Sequence, residues 1–78
     1  MKSRWTRLPG PHGPSPVYES ATGARVHLGG LIRMADERIF RPFNYWPDTQ
    51  RPEWRRARTL EPTPRRALMM FAEMMETP

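Results

Sequence analysis

The chain contains no cysteine. That excludes a disulfide framework and any thiolate-bound zinc, the two usual staples of a very small domain. Apolar bulk is also scarce: Leu, Ile, Val and Phe make up 12 of 78 residues. That is about 15%, against the roughly 20% below which disorder is common. A chain this short buries only about 60% of its unfolded surface, so its core is thin. Three Trp, two Tyr and six Met offset part of the deficit, and a net charge of +5 is low for a disordered chain. The composition predicts a lean but folded single domain over residues 1–78.

Long hydrophobic runs are missing too. The longest, Ala67 to Ala72, is far short of the roughly 20 residues that span a bilayer. The basic N-terminus, Met1-Lys2-Ser3-Arg4-Trp5, runs into Leu8-Pro9-Gly10-Pro11 with no apolar segment typical of a secretory signal. The expectation is a soluble, cytoplasmic protein with no membrane partner. Catalytic signatures are equally scarce. The two histidines, His12 and His27, and the serines Ser3, Ser15 and Ser20 fall in different segments, with no phosphate loop, nucleophile elbow or HExxH. Asp36 and Glu37 are neighbours whose side chains diverge at a turn, and two scattered histidines do not make a metal site. The sequence predicts a protein that is not an enzyme and carries no metal or other cofactor.

Lysine is almost absent, with Lys2 against twelve arginines. A GC-rich genome would account for that bias, and for the ten prolines beside it. Arginine also pairs bidentately with phosphate and carboxylate and stacks on aromatic rings, which lysine does not. The cations are unevenly spread. Residues 1–33 sum to +4, residues 34–50 to −1, residues 51–66 to +4 and residues 67–78 to −2.

Local patterns suggest an α+β fold: a small antiparallel meander of three to five short strands with one C-terminal amphipathic helix packed on one face. Ser3–Leu8 alternates as a strand, and the Pro/Gly-rich segment 9–16 breaks the chain into a loop. Val17–Ser20 and Ala24–Leu28 pair across Ala21-Thr22-Gly23, with Ala24, Val26 and Leu28 facing opposite to Arg25 and His27. Gly29-Gly30 permits a bend. Leu31–Ala35 and Ile39–Phe43 form a second hairpin around Asp36-Glu37-Arg38, with Pro42 marking an edge. Asn44–Pro52 reads as a loop pinned by aromatics, and Trp54–Leu60 as a last strand by period-2 alternation. A helix over 63–76 starts with Thr63 as N-cap and Pro64 at N1. Its apolar arc holds Pro64, Ala67, Leu68, Phe71, Ala72, Met74 and Met75. Met69 falls in the polar arc and Met70 at its margin.

Two binding surfaces follow from these placements. The first gathers Arg25, His27, Arg55, Arg56, Arg58, Arg65 and Arg66 as anion or phosphate contacts, with Trp54 as a stacking platform. Arg65 and Arg66 in the first turn of the C-terminal helix, and Glu73 and Glu76 in its last, all oppose the helix dipole. A bound anion at the helix start would relieve the first of these conflicts. The second surface has Tyr45, Trp46, Met69 and Met70 as anchors, residue types that protein interfaces favour. Competing readings place Trp46 over one end of the core and the arginines on a merely solvated face.

The order of strands followed by a capped helix resembles small β-sheet DNA readers, which lay a three-stranded sheet in the major groove. Two functions are therefore expected. One is a small basic module that docks on nucleic acid or a nucleoprotein complex. The other is a protein-binding inhibitor or adaptor that acts on an acidic or apolar protein surface. Compact proteins of that second kind, anti-CRISPR-like ones among them, are used by phages and mobile elements against host defence complexes.

Overall fold

The computed structural model describes residues 5–76. Five short strands form an antiparallel meander in the order β1-β2-β3-β4-β5. They are β1 (Trp5–Arg7), β2 (Val17–Ser20), β3 (Arg25–His27), β4 (Leu31–Arg33) and β5 (Ile39–Phe40). Three helices follow: α1 (Trp46–Thr49), α2 (Pro52–Leu60) and α3 (Pro64–Met75). The α+β meander with a C-terminal helix on one face is what the sequence predicts. Residues 1–4, including Ser3 and Arg4 of the expected first strand, lie outside the described residues.

Turn chemistry sets the strand pairing. Gly23 adopts φ 97° in the β2–β3 hairpin, where Ser20 N–H donates to Ala24 C=O at 2.8 Å. Gly30 adopts φ 123° between β3 and β4, and a Cβ there would stand 2.9 Å from the Phe43 ring. Both positions require glycine. The registers align Thr6, Glu19, Arg25, Arg33 and Ile39 in one cross-strand row, and Arg7, Tyr18, Val26, Ile32 and Phe40 in the next. Adjacent rows point to opposite faces. The second row faces the helices: Val26, Ile32 and Phe40 share a buried core with Trp54, Ala57, Leu68 and Phe71. The first row points away from them.

Residues 54–60 are not a strand but most of α2. Pro52 at the first turn and Glu53 beside it give a helical start, and the two buried residues, Trp54 and Ala57, are three apart. The alternation that suggested a strand arises from arginines interleaved with apolar residues, a pattern compatible with either period. Burial chose the helical one. Asn44–Pro52 likewise holds a helical turn, α1, rather than only a loop. Asp48 fastens it: the buried carboxylate accepts from Arg41 N–H at 2.7 Å and from Arg51 Nε at 3.3 Å. The last strand ends at Phe40, earlier than expected.

Helix α3 starts as its sequence requires, with the Thr63 hydroxyl accepting from Arg66 N–H at 3.3 Å. Removing that cap in Thr63→Ala is expected to cost about 1 kcal/mol, read as a shift of the denaturant midpoint with an unchanged slope. The other end is tied to the sheet. Trp5 Nε1 donates to Glu73 at 2.8 Å, the Ser20 hydroxyl donates to Glu76 at 3.0 Å, and Arg38 Nη2 donates to Met75 C=O at 2.9 Å. The carboxylates that oppose the dipole of α3 are thus held by tertiary donors, and Arg38 supplies a cation near its negative end.

Candidate binding surfaces

The eight residues expected to form one anion-binding face are divided among four places. Arg25 and His27 stand on β3, on the sheet face turned away from the helices. Arg55, Arg56 and Arg58 project from α2 into solvent, and Arg65 and Arg66 from the first turn of α3. Trp54 is in the core at 7% exposure, so it offers no stacking platform. Its ring meets Phe43 at 5.5 Å and Phe71 at 5.8 Å between centroids, both edge-on. The basic sheet face with a central tryptophan does not exist, because α2 turns Trp54 inward and its arginines outward.

On α2 the exposed arc carries Arg55, Arg56 and Arg58, and Trp54 and Ala57 take the buried one. Arg55 donates to Gln50 Oε1 at 2.7 Å, and the Arg58 guanidinium lies 5.8 Å from the Trp54 ring centroid. Among the described residues, none of these three arginines pairs with a carboxylate, and Arg65 is likewise unpaired. Arg66 differs: its Nε reaches Glu61 at 3.0 Å. A carboxylate of the chain itself therefore stands near the start of α3, and with Thr63 on the Arg66 N–H, the anion inferred for that helix end has an internal substitute.

The second expected surface is partly assembled. Trp46 is 73% exposed and Tyr45 55%, so neither closes the core. Met69 is half-buried, and Met70 packs against the core cluster with Met74 and Met75. Tyr45 and Trp46 are held at the start of α1, where Tyr45 N–H donates to Arg41 C=O at 2.8 Å and Thr49 Oγ donates to Trp46 C=O at 2.7 Å.

The remaining cations of note were not singled out by sequence reasoning. Arg33 lies directly across from Arg25 on the outer sheet face, a like-charge pair that costs stability unless offset. Glu19 offsets one member, meeting Arg25 Nε at 2.9 Å. Arg33 has no carboxylate partner among the described residues. Burial, followed by the charges of His12, Arg25 and Arg33, lowers the pKa of His27 below its ordinary 6.5. A cross-strand register was needed to see this cluster, since Arg25 and Arg33 are eight positions apart in the chain.

No group of three or more potential ligands converges on a metal position among the described residues, and none of their helices is long and apolar enough to cross a membrane. Compared with family models, curated proteins and solved structures, the chain matches none of them.

Proposed function

We propose that this chain is a small non-enzymatic binding module that docks on nucleic acid, or on a nucleoprotein complex, through the arginine face of α2. The observation that carries the reading is the set Arg55, Arg56 and Arg58. They are exposed on one nine-residue helix and unpaired with any carboxylate among the described residues. Arg65 extends the same charge into the start of α3. Guanidinium groups left without internal anions are suited to phosphate, which they contact bidentately. Binding to an unspecific duplex or single strand is then dominated by counterion release. With about four phosphates neutralised, log K against log[salt] falls with a slope of roughly −3 to −4. A flat salt dependence would remove this reading.

A second reading, a protein-binding inhibitor or adaptor, is favoured by one specific observation: a tryptophan at 73% exposure beside a tyrosine at 55%. Exposed aromatics of this size are typical interface anchors. Trp46→Ala should leave the melting temperature nearly unchanged, since a solvent-facing side chain contributes within about ±0.5 kcal/mol. It should also abolish nuclease-resistant capture of a partner from a native lysate. Capture that survives Trp46→Ala, or that disappears with nuclease treatment alone, counts against the protein-partner reading.

A further inference from the structure

We propose that the sheet face opposite the helices carries a separate site for a phosphate monoester, formed where the proline-rich loop meets the β3–β4 turn. A hollow of about 260 Å³ lies there, lined by His12, Ser15, His27, Arg41 and Asn44. It is smaller than the roughly 300–1,000 Å³ of sites for drug-sized ligands, a size suited to a compact anion. Its polar lining can supply donors: a guanidinium, a hydroxyl, a side-chain amide and two imidazoles, which donate from both nitrogens once protonated.

Charge identifies the ligand class. Burial opposes protonation of His27 most, and His12 from the loop, Arg25 from β3 and Arg33 from β4 add to it. Arg41 lines the same hollow from the segment after β5. The carboxylate in the neighbouring row, Glu19 on β2, is engaged by Arg25 at 2.9 Å. No carboxylate lines the hollow, and Arg41 is its standing cation until a histidine is protonated. A terminal phosphate brings up to two negative charges and three acceptor oxygens, which answers this cluster better than the single charge of a phosphodiester.

The histidines make the site pH-dependent. Nε2 of His12 lies 2.9 Å from Pro9 C=O. A carbonyl only accepts, so Nε2 carries the hydrogen, and Nδ1 becomes a donor only when the ring is protonated. Without a ligand, protonating His27 is penalised in the folded state. Its contribution to stability is complete above the unfolded value of 6.5 and is lost as pH falls through the lowered folded value. A bound anion reverses the sign, because it favours the charged ring. Binding that takes up the His27 proton strengthens about tenfold for each pH unit down to the pKa of that ring.

The site is independent of α2, and its test separates the two. Sulfate, whose charge is constant over the range, and inorganic phosphate are titrated into the protein at about pH 5.5 and about pH 7.5, on either side of the ordinary imidazole value of 6.5. Ring resonances of His12 and His27 report the binding. The expected result is that both rings shift together, that the His27 pKa rises, and that sulfate binds at least about tenfold more weakly at the higher pH. His27→Gln should weaken the pH dependence, leaving only the part that His12 contributes. Arg41→Gln, at an exposed side chain, should weaken binding tenfold or more with the fold retained. A 5′-phosphorylated oligonucleotide that outcompetes its 5′-hydroxyl counterpart at this site assigns the phosphate to a nucleic-acid end. Equal competition by the two, with inorganic phosphate bound, assigns it to a small phosphorylated molecule. Rings that do not shift, or that shift equally in Arg41→Gln, overturn the site.

Discussion

Trp54→Ala should lower the melting temperature by roughly 12–40 °C. The side chain is 7% exposed and fits edge-on between Phe43 and Phe71, and Phe71 in turn meets Phe40 at 5.5 Å. Truncating a buried aromatic costs about 3–5 kcal/mol in lost transfer energy and residual cavity. In a domain of 60–100 residues each kcal/mol moves the midpoint by about 4–8 °C. The effect is large because the core is small: a chain of 78 residues at about 0.05–0.15 kcal/mol per residue holds only about 4–12 kcal/mol in all. Circular dichroism during heating and in denaturant checks the result. Were Trp54 an exposed stacking residue on a strand, the change would stay within about ±0.5 kcal/mol, so a nearly unchanged midpoint would refute the packing described. Trp54→Phe retains an edge-on ring and should lose much less.

The triple substitution Arg55→Gln, Arg56→Gln, Arg58→Gln should nearly abolish salt-dependent binding to a 5′-hydroxyl oligonucleotide. Each phosphate contact removed reduces the slope of log K against log[salt] by about 0.9. A slope of roughly −3 to −4 therefore falls to about −1, and low-salt affinity drops more than tenfold. The fold should survive, because the three side chains are exposed. The largest structural loss is the Arg58 guanidinium over Trp54, worth about 0.5–1 kcal/mol at an exposed site. The matching control is Arg25→Gln with Arg33→Gln, on the opposite side of the sheet. An equal loss of slope in that control would shift the nucleic-acid surface from α2 to the sheet. An unchanged slope in the triple variant would leave α2 without a phosphate-binding role.

Three residues show why the binding surfaces were only partly legible. Trp54, Arg56 and Arg58 alternate as a strand would, yet the spacing of Trp54 and Ala57 fits a helix equally well. In a seven-residue window the two periods are not distinguishable when the only large apolar residues are the two at its ends, Trp54 and Leu60. The decision came from Phe43 and Phe71, neither of which is near Trp54 in sequence. The dipole argument for an anion at α3 failed to foresee Glu61, which meets Arg66, and Arg38, which reaches Met75 C=O from the β4–β5 turn. Both compensate the helix from outside it. The significance of Arg33 lies in facing Arg25 across the sheet, a relation that chain order does not display.

The sequence by itself determined what depends on neighbours along the chain. The glycine turns at Gly23 and Gly30, the alternation of Arg25, Val26 and His27, the Thr63 cap and the buried face of α3 all follow from local sterics and short-range periodicity. The lack of cysteine, which removes disulfides and thiolate metal sites, is equally a property of composition. Tertiary structure alone decided which cations share a surface. It sent the arginines of α2 to one side of the sheet and Arg25, Arg33 and His27 to the other. The reason is physical: a thin core needed Trp54 more than the surface did, and burying that ring set the rotation of α2 and the direction of every arginine on it.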